Sequence, residues 1–529
     1  MPELPTSRRV LVLATVCLAA FAINVDTTIV NVALPDLSRQ LDATTRDLQW
    51  IVDGYNLAFA ALVLTAGSMG DRFGRRPALL VGLAGFALSS GVGAIVTSAS
   101  ALVAVRFAMG ASAAVIFPTT LSIITNTFPD RRERAKAIGL WGAVTGLGVA
   151  VGPVSGGLLL ERFAWPAVFV ALVPVALLAL VAAWLVVPES SAPSEARLDL
   201  PGLVLSSAAI GVLVYTIIEA PARGWNDPVS LAGFAATAAL IAGFVAVERR
   251  RAHPMIDISL FRNPAFSAAS ASVTVAFFAL FGFIFLVTQY FQFIRGFGAL
   301  STGVRILPVA TTIAIGSVGG VALAGRVGTR AVVTTGLLLL GSSFAWISVS
   351  ATYMPYAQIV GQMILMGLGL GLTTAPATES ILSVLPPTKA GVGSAVNDAT
   401  REAGGTLGVA ILGSIFTSLY ASHLTTTAFQ TLSAPVVAAG QDSVASALAT
   451  VGGARGSTAR TQLLDAVNAS FMTGFHTACA VGAGVCLVGA AAARLLPGRS
   501  TRHSENAPVP GSDLVPALPG QRNAMSEPV

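Results

Sequence analysis

The sequence predicts an all-α integral membrane protein with fourteen spanning helices, and three observations carry that reading. Charged residues make up 11% of the 529 residues, against about 25% in an ordinary soluble chain. Apolar residues make up 54% and the mean hydropathy is +0.77. They fall in repeated stretches of about 20 residues, the length that crosses a hydrocarbon core of about 30 Å. The arginines and lysines collect in every second connecting loop, as expected when alternate loops face the cytoplasm.

The spans follow in order. The first, 10–33, comes after Arg8 and Arg9. It is too long for a secretory leader, carries the acidic Asp26 and lacks a clear cleavage site, so it reads as a spanning helix. Spans 49–69 and 78–98 flank the basic loop DRFGRR, and a short turn at 97–99 separates the third from the fourth, 101–125. Glycine-rich 136–160 and strongly apolar 166–187 complete six helices. Two more, 200–219 and 229–247, precede the basic run at 249–251. Five follow at 265–291, 301–324, 331–350, 355–377 and 391–419, and the last is 470–494. Between the final two lies a segment rich in Ala, Ser, Thr and Gly, 421–469, read as an outer cover or spacer in which 461–471 forms a short amphipathic helix. The tail 497–529, rich in Pro, Ser, Asn and Gly, reads as disordered and cytoplasmic.

An even number of spans puts both termini on one side. With the termini in the cytoplasm, about 22 basic residues lie inside, among them Arg75, Arg76, Arg131, Arg249 and Arg330, and about 8 outside. That bias also accounts for the formal charge of +6, which therefore does not point to nucleic acid. Cys17, Cys479 and Cys486 lie in apolar stretches and read as packing residues.

An internal repeat organises the spans. Arg72, Gly74, Arg76 and Gly82, after the second helix, recur as Arg326, Gly328, Arg330 and Gly336, after the tenth, at a constant offset of 254. The expected domains are a six-helix bundle at 1–190, a two-helix insert with its linkers at 191–262, and a second six-helix bundle at 263–496. Transporters built from such halves run their substrate path between them, near the midplane.

Several residues stand out chemically. Gly70 and Gly74 permit a tight turn, Asp71 can face a helix N-terminus, and Arg72 and Arg75 can pair across the bundle interface as a latch. The alternative is that these charges only fix topology. Gly146, Gly152 and Gly156 belong to a glycine ladder that permits close helix approach, with Pro153 supplying a kink. Ionisable groups inside spans are costly and are functional candidates by default. Asp26 and Arg106 lead them: Asp26 has small residues on its face (Ala19, Ala22, Ala33), and Arg106 can tune a neighbouring carboxylate. Each also has a plain structural reading as a bonded buried charge. Asp53, Tyr55, Asn56, Trp141 and Glu402 are candidates for the substrate cavity, with Asp53 near the outer mouth. Asp398, Arg401 and Glu402 are spaced to satisfy one another, whereas Glu219, at the end of the seventh helix, reads as solvated. No phosphate-binding loop, HExxH or CxxC occurs, which argues against ATP drive and embedded enzymes.

Four stretches resemble the major facilitator superfamily: GSMGDRFGRRPALL at 67–80, LVAVRFAMGASAA at 102–114, GLGVAVGPVSGG at 146–157 and VDTTIVNVALP at 25–35. Together with fourteen spans they resemble its drug:proton antiporter branch. One departure stands in the thirteenth helix: Glu402 and Ala403 precede Gly404 and Gly405, where the family usually has Arg followed by an uncharged residue. The resemblance implies a major facilitator fold and proton-coupled export of lipophilic cations or antibiotics across a bacterial plasma membrane. It implies coupling through Asp26 and Arg106, a proton gradient in place of any cofactor or metal, and no required oligomer or nucleic acid. Two alternatives stay open: export of an anionic or neutral metabolite, and a transporter-like sensor or lipid-handling protein without proton exchange.

Overall fold

A computed structural model describes residues 5–190, 199–251, 258–384, 390–454 and 456–496. Among them the long elements are all helical: α1 (Thr6–Gln40), α2 (Thr45–Phe73), α3 (Arg75–Gly93), α4 (Ala99–Thr127), α5 (Arg131–Leu160), α6 (Pro166–Val186), α7 (Leu200–Arg223) and α8 (Pro228–Glu248). They continue as α9 (Pro264–Gln289), α10 (Ala299–Val327), α11 (Thr329–Ser348), α12 (Tyr356–Ser383) and α13 (Ala390–Leu424). Two short helices, α14 (Ala434–Asp442) and α15 (Val444–Gly453), precede the long α16 (Ser457–Ala492). Thirteen of these helices are long and apolar enough to cross a membrane. The fourteenth spanning element is α2, whose outer turns carry Arg46, Asp47, Gln49, Asp53 and Asn56.

Helices α1–α6 pack on one another, as do α9–α13 with α16, and the pattern repeats: α1 on α5 and α9 on α13, α2 on α4 and α10 on α12, α3 on α6 and α11 on α16. Residue contacts fix the register of the repeat. Gly82 of α3 meets Ser112 and Ile116 of α4, and Gly336 of α11 meets Gly369 and Thr373 of α12. Gly110 closes on the Tyr55 carbonyl of α2 as Gly367 closes on that of Val309 in α10. Gly148 and Gly152 sit on α1 at Phe21 and Val25, whereas Gly404 and Gly408 sit on α9 at Thr274 and Phe278. Both repeated loops break their helices at a left-handed glycine, Gly74 at φ 108° and Gly328 at φ 93°, where any other L-residue is strained.

The insert α7–α8 lies against α2 and α13. The outer segment differs from the expected loop. Its 461–471 stretch is the start of α16, which continues unbroken through the last span. The stretch before it folds inward: Phe429, Val444, Ala447 and Val451 are buried. Tyr420 donates to the Gly440 carbonyl at 3.0 Å, and the hydroxyls of Ser38 and Ser443 are 3.1 Å apart. The three cysteines are free and buried. The tail 497–529 lies outside the described residues.

With the arginine-rich ends taken as cytoplasmic, the two halves meet on the outer side. Gly157 of α5 abuts Ala299 and Leu300 of α10, and Gly303 abuts Pro153. Gln49 of α2 donates to the carbonyls of Val409 and Ala410 and to the Ser414 hydroxyl of α13. Past α9, the π-helical turn Tyr290–Ile294 carries Gln292, which donates 2.9 Å to the Val32 carbonyl of α1. Toward the cytoplasm, nothing among the described residues lies within 4 Å of a side chain placed at Gly139, Gly142 or Gly146 of α5, or at Gly319 or Gly325 of α10. The conformation is closed outside and parted inside.

Candidate functional site

A cavity of about 510 Å³ lies between the halves. On the N-terminal side α1 contributes Asn24, Thr27 and Thr28, backed by Phe59 of α2 and Phe117 of α4. On the C-terminal side α9 contributes Phe277, Leu280, Phe281 and Ile284, and α13 adds Arg401 and Glu402. Thr27 and Thr28 turn their hydroxyls back to the carbonyls of Ile23 and Asn24, and the Asn24 amide donates to Ala20. The helix thus satisfies its own polar side chains, leaving a lining of aromatic rings with a few polar edges. Such a lining suits a flat or bulky apolar ligand bearing one charge.

Directly behind this wall sits a buried ion pair. Arg106 Nη1 of α4 donates to both carboxylate oxygens of Asp26 at 2.8 and 2.9 Å, and its Nε donates 2.9 Å to the Ile51 carbonyl of α2. Relative exposure is 0% for Asp26 and 1% for Arg106. The guanidinium also lies 4.3 Å from the centre of the Tyr55 ring. Rings then run from Tyr55 to Phe59, from Phe59 to Phe117 and from Phe117 to Trp141, with centroids 6.3, 5.9 and 5.0 Å apart. Trp141 Nε1 donates to Thr120 at 3.1 Å.

The structure therefore joins Asp26 to Arg106, two residues that sequence reading picked separately. Ala19, Ala22 and Ala33 are themselves packed in the core and leave no open space beside the carboxylate. Among the five proposed cavity residues, Glu402 alone lines the cavity; Tyr55 and Trp141 stand one layer back. Asp53 and Asn56 are buried in the outer turns of α2 and do not line it. Neither oxygen of Asp53 meets a hydrogen-bond partner among the described residues. Both residues continue the face of Gln49, one and two turns on, so they point along the α2–α13 junction. The residues missed were Asn24, Thr27 and Thr28. A polar stripe at i, i+3 and i+4 in an otherwise apolar span was the available signal.

Other candidates fall into place around this centre. Arg401 lies 3.5 Å from Asp398 and 4.6 Å from the centre of the Phe277 ring, while Glu402 Oε2 is buried without a hydrogen-bond partner among the described residues. Glu219 is not simply solvated: it pairs with Arg46 at 3.1 Å and Arg223 at 3.5 Å. In the glycine ladder, Gly152 and Gly156 face α1 inside the same half rather than the junction between halves; Pro153 reaches the junction, and Gly146 is exposed. Gly74, at φ 108°, would strain any side chain, and one placed there would also displace the Glu189 carboxylate; Gly70 is close to Thr119. Arg75 donates to the Ser122 carbonyl at 3.3 Å and its backbone N–H to Ser190, both within the N-terminal half. The side chains of Asp71 and Arg72 lie outside the described residues.

The repeat register supplies an internal control for the ion pair. Contacts pair Val25 with Phe278, Tyr55 with Val309 and Gly110 with Gly367. Applying the same registers, Asp26 corresponds to Ala279, Arg106 to Met363 and Tyr55 to Val309, all buried. The C-terminal half thus builds the same helix packing around an apolar triplet.

A model described as Major Facilitator Superfamily matches residues 16–409. Among curated relatives, the multidrug resistance protein Stp of Mycobacterium tuberculosis (strain CDC 1551 / Oshkosh) is 35% identical over 77% of this chain and 76% of its own length. The multidrug efflux pump LfrA of Mycolicibacterium smegmatis is 35% identical over 90% of this chain and 94% of its own. The tetracenomycin C resistance and export protein of Streptomyces glaucescens is 35% identical over 77% and 76%. Among solved structures, a bacterial homologue of the human lysosomal transporter Spinster, inward-facing and unoccupied, aligns with a TM-score of 0.64 at 14% identity, covering 92% of this chain and 98% of that one. The human organic anion transporter MFSD10 aligns at 0.57 and 16% identity, over 93% and 100%.

Proposed function

The chain belongs to the major facilitator superfamily, in its drug:proton antiporter branch, and from that premise we propose that it exports lipophilic cations in exchange for protons by alternating access. The observation that carries the proposal is the Asp26–Arg106 pair, because the equivalent positions of the other half are alanine and methionine. A buried ion pair that the scaffold does not need is a device for switching charge. When Asp26 takes up a proton, the salt bridge is lost and Arg106 must find its neutralisation elsewhere. Tyr55 touches Arg106, and its ring meets Phe59 and through it Phe117, so it links this event to the cavity wall. A cation entering beside Glu402 and the Phe277, Phe281, Phe59 and Phe117 rings changes the same local field from the other side. Proton and cargo then compete through one set of charges, as antiport requires.

In this reading the termini are cytoplasmic, the membrane is a bacterial plasma membrane, one chain suffices, and the proton gradient supplies the energy without a cofactor. The bundles 1–190 and 263–496 rock about the cavity, the segment 191–262 bridges them, and the loop that holds Gly70, Asp71, Arg72, Gly74 and Arg75 latches the cytoplasmic side when it closes. The names of Stp, LfrA and the tetracenomycin exporter support amphipathic drugs as cargo. The test is proton release from acid-loaded inverted vesicles on addition of lipophilic cations, comparing the parent with Asp26→Asn. Release evoked by cations in the parent and absent from the variant is the expected result. Equal release in both would remove Asp26 from coupling.

A further inference from the structure

The two junctions between the halves are related by the repeat, yet they differ in chemistry and in cover. At the α2–α13 junction, α2 presents Gln49, Asp53 and Asn56, all buried. At the α5–α10 junction the equivalent positions of α10 are Gly303, Leu307 and Ala310. The polar junction is covered. Val214, Ile217 and Ile218 of α7 pack with Trp50 of α2 and with Leu407, Ala410 and Ile411 of α13. Ser414 donates 2.8 Å to the Ile217 carbonyl, and Trp50 lies 6.1 Å from Tyr215, centre to centre. The insert therefore keeps lipid off Asp53 and Gln49, groups whose exposure to hydrocarbon would be costly.

The α5–α10 junction is apolar and has no such cover among the described residues. Just cytoplasmic of the Pro153–Gly303 contact it opens into a cleft of about 340 Å³, walled by Val149 and Ala150 of α5 and by Leu307, Ala310 and Ile313 of α10. Four residues, Thr28, Val149, Leu280 and Ile284, line both this cleft and the central cavity. Farther toward the cytoplasm Leu147 of α5 and Ile315 and Val318 of α10 are exposed.

We propose that amphipathic cargo enters the central cavity sideways, from the cytoplasmic leaflet through the α5–α10 junction, while the α7–α8 insert closes the other side. This rests on the export reading above and adds the route. The cleft is apolar until Thr28, and the cavity beyond offers Asn24, Thr27 and Glu402, so a molecule entering tail first meets polar groups only on arrival. One open side and one sealed side also explain why the insert lies where it does instead of on the outer face of one bundle.

The test uses the full chain in proteoliposomes with alkyltriphenylphosphonium probes, from methyl to dodecyl, whose partition into the bilayer rises about fourfold per added methylene. The plug Ala150→Trp with Ala310→Trp fills the cleft, and Ile241→Trp on the exposed face of α8 is the control. Binding of the same probes is measured in detergent, where no leaflet route exists. The expected result is about tenfold slower transport of the dodecyl probe by the plug, with the methyl probe and the control little changed and detergent binding within about twofold. Unchanged transport of both probes would overturn the proposal and leave the cleft to a lipid tail. An equal loss for both probes with binding intact would overturn it as well, since the plug would then be hindering the rocking motion. If the plug abolishes binding, the single variant Ile313→Trp at the cleft mouth is read instead, and lost binding there too would make the cleft part of the binding site, not a route. A parent that moves no phosphonium at all would refute the export reading itself.

Discussion

Replacing the pair Asp26 and Arg106 by the residues of the other half, Asp26→Ala with Arg106→Met, separates the structural role of the charges from the functional one. Each single change strands a buried charge. At 2.8 and 2.9 Å, with both groups at most 1% exposed, the loss of either partner costs about 3–5 kcal/mol. Coulomb attraction gives a similar figure: two unit charges about 4 Å apart in a medium of effective dielectric about 20 attract by about 4 kcal/mol. Removing both charges forfeits that attraction but also their desolvation, so exchange for apolar residues is typically neutral or stabilising. Met363 and Ala279 show that this fold packs such a pair at 0% exposure. The guanidinium's contact with Tyr55 is lost wherever Arg106 is replaced, in the single and in the double alike, a term of about 1–2 kcal/mol.

The assay is thermal unfolding in detergent of four proteins: parent, both singles and the double. Both singles should melt well below the parent and the double close to it, with a coupling energy of about 3 kcal/mol in the cycle. Cation-evoked proton release should be absent from the double although it is folded. Additive losses would refute the argument that the pair is dispensable to the fold. A double variant that still releases protons would refute the argument that the pair couples transport.

Three further outcomes follow from the geometry. Gly303→Val places a branched side chain against the Pro153 carbonyl; it should weaken the outer seal, which labelling of an outer cysteine would read as increased accessibility, and unchanged labelling would count against the seal. Gln49→Ala removes donation to Val409, Ala410 and Ser414; at about 1 kcal/mol per bond it should shift the same labelling several-fold toward the outward-open form. Gly74→Ala must hold φ near 108° beside Glu189; it should cost about 1–3 kcal/mol in thermal stability, and no loss would show that the loop relaxes freely.

Much of the fold was legible because membrane spans obey a strict constraint on length and polarity. The exceptions are instructive. The start of α16 read as a separate helix because polar residues interrupt the apolar run, yet an outer cap packs on it and the helix continues. For the site, sequence located Asp26, Arg106 and Glu402, since a charge inside a span is conspicuous. It could not tell which charge meets which, because Asp26 and Arg106 are 80 residues apart and their contact depends on how α1 and α4 cross. Asp53 stood out as a cavity candidate, but its neighbours are set by the insert and by α13, which no local pattern reveals. The lining threonines were hidden by ordinariness: a hydroxyl that bonds its own helix has no cost in a span and leaves no anomaly to notice.

The same repeat explains how the two halves divide their work. Asn24, Thr27, Thr28 and Asn31 of α1 correspond, through the register that pairs Val25 with Phe278, to Phe277, Leu280, Phe281 and Ile284 of α9. Three of the first four and all of the second four line the cavity. Both halves therefore aim the same helical face at the cargo, one polar and one aromatic. On α13 the glycine register pairs Gly148 with Gly404, and Glu402 stands where α5 has the exposed Gly146. Packing glycines recur because both halves need the same close approaches, whereas no charge facing the cavity or lying behind it recurs at its equivalent position. A symmetric pair of proton sites would hold the two halves equally and could not report which side is open. With the ion pair in one half and Glu402 in the other, protonation of Asp26 removes an attraction within one half and leaves the Arg106 charge to act on Glu402 across the halves, and so biases their relative position. Moving the carboxylate across the repeat, Glu402→Gly with Gly146→Glu, tests this directly. Both charges then lie in one half and the cavity loses its carboxylate, so the prediction is weakened cation binding together with loss of cation-evoked proton release. Retained release would show that the asymmetry has no part in coupling.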